Sequence, residues 1–309
     1  MTDATQAYAD QAIARGSQSF AAASRLFDEA TRRDVAKLYA WCRYCDDVVD
    51  GQVLGHGQSA GVGDPQERLT ALRRSTSAAL SGETSDHPAF AALAEVAHRY
   101  GIVPALPAAH LDGFQADAEG KCYQTLDDLL GYCYGVAGVV GIMMAQIMGV
   151  RDPLVLDRAC DLGLAFQLTN IARDIVEDAE NDRVYLPLSW LAEEGIASET
   201  MAAPQHRAGL ARLAERLVAA AEPFYASAQQ GLPALPLRAA WAIATALLVY
   251  RAIGLKVVAK REAAWDIRVR TTKRDKIGFT ARGAAMAVGS RRGGGTSPRS
   301  PDLWQRPLI

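Results

Sequence analysis

The chain has 309 residues, with 33 lysines and arginines against 35 aspartates and glutamates and a formal net charge of −2. Hydrophobic residues make up 50% and charged residues 22%, as in an ordinary folded protein, and near-neutrality excludes a chain whose main task is bulk nucleic-acid binding. Alanine, the best helix former, occurs 57 times, so a largely helical body with a substantial core is expected.

Taken in chain order, residues 1–18 are polar, carry Asp3, Asp10 and Arg15, and lack the apolar run of a secretory signal. Helical periodicity then predicts helices over about 19–50, 66–81, 88–100, 105–119, 126–149, 153–180, 205–230 and 236–264, with no convincing alternating strand. A glycine-rich loop fills 51–64, and 182–190 interrupts the pattern at Pro187. The longest apolar run, Ala239–Tyr250, is short for a membrane span, and Arg251 and Lys256 after it read as solvated charges. Residues 1–288 form a single expected domain; 289–309 has too little apolar content to fold alone and reads as a disordered basic tail. From Arg268 to Ile309 ten basic residues meet two acidic ones, a stretch of +8 on a body of −10. Five cysteines at irregular spacing, without a secretory signal, suit reduced thiols. Cys42 and Cys45 have no second ligand pair, so they read as helical thiols rather than a zinc site. The five histidines form no cluster in sequence.

Two short features carry the chemistry. In Tyr39–Asp50, the side chains of Tyr39, Arg43, Asp46 and Asp50 fall within about 60° of arc on one helix face. In Gly163–Asp178, Gln167, Asn170, Asp174 and Asp178 likewise share one face, within about 80° of arc. Each stripe ends in two aspartates four residues apart, which repel one another and sit late in a helix, where the dipole favours cations. An acidic stripe is most often the solvated face of an amphipathic helix, and for either stripe alone that reading stands. Two stripes of matching spacing favour a Mg²⁺–diphosphate site, since Mg²⁺ is held by one or two carboxylates together with substrate phosphates.

At these residues the sequence resembles the squalene/phytoene synthase family. The matching segments are 17–20 (SQSF), 42–50 (CRYCDDVVD), 132–138 (YCYGVAG), 167–178 (QLTNIARDIVED) and 183–187 (RVYLP), with a further likeness at 111–117 (LDGFQAD). The 132–138 segment and the ending LWQRP resemble the bacterial phytoene-forming members. The resemblance implies an all-α isoprenoid synthase bundle around a central cavity. It implies that Asp46, Asp50, Asp174 and Asp178 hold Mg²⁺ (or Mn²⁺), with Asp47 supporting the first pair. Ser17, Ser19, Arg43, Arg173 and Arg268 would bind diphosphate, with Arg270 or Arg261 as alternatives to Arg268. Gln167 and Asn170 would line the site, and Tyr39, Tyr132 and Tyr250 would border the reaction centre. One departure is Asp182, where many relatives have glycine before the arginine of the loop.

The implied reaction joins two geranylgeranyl diphosphates head to head, through a cyclopropyl diphosphate, without NADPH. Carbocations require a closed, mostly apolar site, and 132–144 would supply a wall. The same resemblance implies a place in carotenoid biosynthesis beside neighbouring enzymes, with no nucleic-acid partner. A cytoplasmic location with peripheral contact at the inner membrane face would suit the basic C-terminus and an apolar product. Alternatives at this stage are a farnesyl-using dehydrosqualene or squalene synthase, a class I terpene cyclase, and a helical assembly factor without turnover.

Overall fold

Helix caps set the local structure. Asp28 accepts from Thr31 N at 2.9 Å and from Thr31 Oγ1 at 2.7 Å, which starts one long helix. Asp152 accepts from Leu154 N ahead of Pro153, and Thr125 with Asp128 and Thr272 with Asp275 form capping boxes. The computed structural model describes residues 2–16, 18–50, 64–292 and 298–307, and for 2, 3, 18–20 and 50 the backbone alone.

The helices are α1 (Thr2–Gly16), α2 (Gln18–Ser24), α3 (Glu29–Asp50), α4 (Pro65–Leu80), α5 (Pro88–Tyr100), α6 (Ala105–Ala118), α7 (Leu126–Cys133), α8 (Val139–Ile147), α9 (Pro153–Glu180), α10 (Leu188–Glu193), α11 (Arg207–Gln229), α12 (Leu237–Lys260) and α13 (Lys273–Gly289). There is no strand among the described residues, and the all-α expectation holds. α9 is the central helix, packed by α8, α11 and α12. Leu164, Leu168, Ile171 and Ile175 are all buried on it, each stabilising the fold by about 1.5–3 kcal/mol relative to exposure.

Several expectations need correction. The 19–50 segment is two helices, because the Asp28 cap restarts the backbone after Ser24. α1 forms despite its polar composition: Ala9, Ala12 and Ile13 pack on Ala36 and Ala40 of α3. The 126–149 segment is one rod interrupted by a π-helical turn at Tyr134–Gly138. Leu126–Ile147 and Leu237–Trp265 are each long and apolar enough to cross a membrane, but more than half of each is buried in the bundle. Arg251 and Lys256 are not merely solvated: Arg251 binds Glu222 at 2.8 Å and Lys256 binds Asp275 at 2.5 Å.

The largest correction concerns the C-terminus. Residues 298–307, read as disordered, lie against the body, with Leu303 buried. Arg299 binds the fully buried Asp161, Arg306 binds Asp157 at 2.6 Å, and the Trp304 ring lies 5.7 Å from that of Tyr134. Low apolar content misled here because two arginine–carboxylate pairs, together with Leu303 and Trp304 joining the core, tie this segment down. The glycine-rich 51–63 and the tail residues 293–297 lie outside the described residues.

Candidate active site

α3 and α9 both line a cavity of about 750 Å³. α3 contributes Tyr39, Cys42, Arg43 and Asp46; α9 lines the cavity from Val155 to Asp178, about 35 Å of helix axis. Small residues let the walls close up. A Cβ on Gly163 would strike Ala137 O, and one on Gly141 would strike Ala159 O, so only glycine lets α8 and the π turn lie backbone to backbone against α9.

The two acidic stripes face one space. Arg43 bridges the first: Nη1 lies 2.9 Å from Asp46 Oδ2, and Nη2 donates to Asp47 Oδ1 at 2.6 Å. Asp47 is buried and does not line the cavity; it holds Arg43 in place. On the second stripe Asp174 accepts from Arg173 Nε at 2.8 Å and from Arg268 Nη2 at 2.8 Å. Arg268, from the loop before α13, is thus the arginine that reaches the stripe; Arg270 and Lys276 also line the mouth. Gln167 and Asn170 line the cavity below, linked through Asn170 Nδ2 to Gln167 Oε1 at 3.4 Å.

Asp178 is the most perturbed carboxyl at the mouth. Burial and then the charge of Asp174 push it up to about 8, with Arg183 opposing. The chain is positioned for this by Asp182, whose φ of 58° is left-handed and brings Arg183 N onto Asp178 O at 2.9 Å. Glycine in many relatives suits that conformation, and aspartate is one of the few other residues that tolerate it.

The donor set at the mouth is carboxylate and amide oxygen from Asp46, Asp174, Asp178, Asn170 and Gln167, without thiolate or imidazole, which suits a hard divalent cation. Among the described residues no three acidic, histidine or cysteine side chains gather closely enough to hold an ion alone. The residues therefore fit a cation that takes its remaining ligands from phosphate and water. The side chains of Ser19 and Asp50, and all of Ser17, lie outside the described residues.

Deeper in, the wall becomes aromatic. Tyr132 donates to Asp117 Oδ2 at 2.9 Å and Tyr185 to Asp117 Oδ1 at 2.8 Å, the two rings stacked at 5.0 Å. Burial, reinforced by Asp117, drives both phenols well above their ordinary value, so both stay neutral. Tyr250 stacks on Phe166 at 4.1 Å, and Tyr39 packs beneath Gly16 at the end of α1. His110 lines the wall, with Nδ1 donating to Gly135 O at 3.0 Å and no partner for Nε2; burial lowers it to about 4. Cys42 lies in the wall beside Asp46, and burial pushes its thiol up.

The structure brings Tyr39, Arg43, Asp46, Tyr132, Gln167, Asn170, Arg173, Asp174, Asp178, Tyr250 and Arg268 to one cavity. Asp117, Tyr185 and Arg183 were not assigned a role from sequence. Their segments, 111–117 and 183–187, carried the family likeness and were the available signal.

Comparison with known proteins identifies the family of the chain. The family model for squalene/phytoene synthase matches residues 13–275. A 15-cis-phytoene synthase of Enterobacter agglomerans is 57% identical over 95% of this chain and 99% of its own length. A 15-cis-phytoene synthase of Pantoea ananas is 54% identical over 97% of each chain. Among solved structures, a dehydrosqualene synthase in complex with ligand superposes with a TM-score of 0.83 at 27% identity, over 93% of this chain and 98% of that one. The squalene synthase HpnC from Alicyclobacillus acidocaldarius shares the fold, with a TM-score of 0.73 at 22% identity over 85% of this chain and 95% of that one. With an all-helical bundle and a family-model match over residues 13–275, the chain belongs to the squalene/phytoene synthase family.

Proposed function

We propose that this protein is a phytoene synthase, joining two molecules of geranylgeranyl diphosphate head to head and releasing diphosphate. The observation that carries the reading is a single cavity that is acidic and arginine-rich at its mouth and apolar along α9. Relatives named phytoene synthase, 50–57% identical over nearly the whole chain, support it.

Asp46, Asp174 and Asp178, with Asp50, would hold Mg²⁺, which when bound offsets the charge developing on the leaving diphosphate. Arg43, Arg173 and Arg268 are held by the aspartates and stand ready to take diphosphate oxygens in bidentate fashion. The allylic cation then lies in a wall of neutral phenols and aliphatic groups, where ring faces favour positive charge and water is excluded. Asp117, gripped by two phenols, places a fixed negative charge in that wall.

The mouth also suits an anionic bilayer on the cytoplasmic face. Ile267 and Ile277 are 77% and 72% exposed in a stretch of sequence that also carries Arg268, Arg270, Lys273 and Arg274, two apolar side chains among basic ones. An apolar forty-carbon product would leave there without crossing water.

Purified protein incubated with farnesyl or geranylgeranyl diphosphate, with Mg²⁺ or chelator and with or without NADPH, tests the reading. Phytoene from geranylgeranyl diphosphate without NADPH is expected. Exclusive use of farnesyl diphosphate would reassign the chain to dehydrosqualene or squalene synthesis.

A further inference from the structure

The end of the cavity remote from the aspartates contains a charge. Arg158, on the first half of α9 and one turn short of Val155, the last α9 lining residue counted from the aspartates, lines the cavity with Met148, Ala228, Gly231, Leu232 and Leu235, yet is itself buried. Its Nη1 donates to Ser227 O at 3.0 Å, and a Cβ on Gly231 would come within 3.2 Å of its own Cβ. Ser227 Oγ donates to Asp161 Oδ2 at 2.5 Å. Asp161 has 0% exposure, and Arg299 of the C-terminal segment pairs with both its oxygens, through Nε at 2.9 Å and Nη2 at 2.7 Å. Arg299 also donates to Trp304 O at 2.7 Å, while Arg291 donates to Leu235 O at 2.7 Å. The C-terminus thus grips both walls of the remote end.

We propose that Arg158 is the distal stop of the prenyl cavity and that the C-terminal segment, acting through Arg299 and Asp161, is what positions it. This rests on the phytoene synthase reading. Arg158 lies sixteen residues before Asp174, about 24 Å along the helix axis. An extended carbon chain advances about 1.2 Å per bond, by analogy with the extended backbone. The sixteen main-chain carbons of a geranylgeranyl group therefore reach about 18 Å, and the ester oxygen and phosphorus take up much of the remainder. One more isoprene unit adds roughly 5 Å and drives the chain end into the guanidinium. An alkyl terminus gives that charge no hydrogen bond, and displacing it from Ser227 O breaks a buried hydrogen bond that the alkyl group does not replace. Discrimination of about tenfold to hundredfold against the longer chain follows, the range for a pocket that must reject added carbons. Arg158 selects length, and Arg299 is a positioning residue.

The test is competition among allylic diphosphates of fifteen, twenty and twenty-five carbons, with kcat/KM for each and Tm recorded alongside. Arg158→Met should raise the twenty-five to twenty ratio about tenfold and leave the fifteen to twenty ratio unchanged, whereas Arg158→Lys should keep the wild-type profile. Arg299→Ala should shift the same ratio in the same direction and add little to Arg158→Met, the mark of two residues acting through one contact. Ala228→Leu fills the same end from the opposite wall and should favour fifteen carbons over twenty about tenfold. A wild type that consumes none of the three overturns the phytoene synthase reading and the stop with it. A wild type that uses twenty carbons, with folded Arg158→Met and Ala228→Leu variants both within twofold of its ratios, overturns the stop alone.

Discussion

The Tyr132 hydroxyl donates to Asp117 Oδ2 at 2.9 Å, and Tyr185 occupies the other oxygen of the same carboxylate. The phenols stay neutral, so the trio presents one fixed negative charge to the cavity. Asp117→Asn keeps the shape and removes the charge; kcat for product formation should fall about 10²-fold, in the range for loss of a positioned acid–base or electrostatic group. Tyr132→Phe removes one bond and leaves the charge, so a smaller loss of about tenfold is expected. Single-turnover rates with geranylgeranyl diphosphate separate this from slow product release.

His110 makes folding sensitive to acid. Burial holds it near 4, below the ordinary value of about 6.5, so the unfolded chain binds the proton more readily. This contribution is complete above about pH 6.5 and is lost as pH falls toward 4, a total of a few kcal/mol. Urea titrations between pH 4 and 7.5 should show that slope for wild type and a shallower one for His110→Gln.

Asp178 and Asp174 repel each other when no cation lies between the stripes. Mg²⁺ with an unreactive diphosphate should therefore raise Tm, by the equivalent of about 2.7 kcal/mol at a hundredfold excess over Kd. Asp174→Asn should abolish the shift and lower kcat by at least about 10²-fold, with far-UV circular dichroism unchanged. Retained activity and shift would remove Asp174 from the ion site.

At Asp182 the backbone has a φ of 58°. Asp182→Ala should cost about 1 kcal/mol, because a Cβ in that conformation is strained and alanine tolerates it less well than aspartate, while Asp182→Gly should be neutral within about 0.5 kcal/mol. Chemical denaturation distinguishes the two.

The rim isoleucines give a fifth expectation. Ile267→Ser with Ile277→Ser should reduce sedimentation with vesicles containing phosphatidylserine and leave turnover in detergent within twofold of wild type. Unchanged sedimentation would move the membrane contact elsewhere.

The two stripes were legible because helix periodicity places Asp46 and Asp174 on fixed faces whatever surrounds them. That the faces meet was not legible from periodicity; only the family likeness supplied it. Asp117 escaped because its meaning lies in Tyr132 and Tyr185, which are separated from it in sequence and joined only by the fold. The ordered C-terminus escaped for a similar reason. Arg299 and Asp161 are 138 residues apart, and a segment poor in apolar residues is held by two arginine–carboxylate pairs, one of them with a fully buried aspartate, and by two core contacts. Arg251 and Lys256 read as solvated because their acidic partners lie on other helices.

The raised thiol of Cys42 has a consequence for the lifetime of the protein itself. An allylic cation alkylates nucleophiles within its reach, and a thiolate in this wall would be a better target than a thiol. Burial, with Asp46 adding to it, keeps the sulfur protonated and so a poor competitor for the electrophile. The chamber that makes a short-lived cation is thereby also one that survives making it.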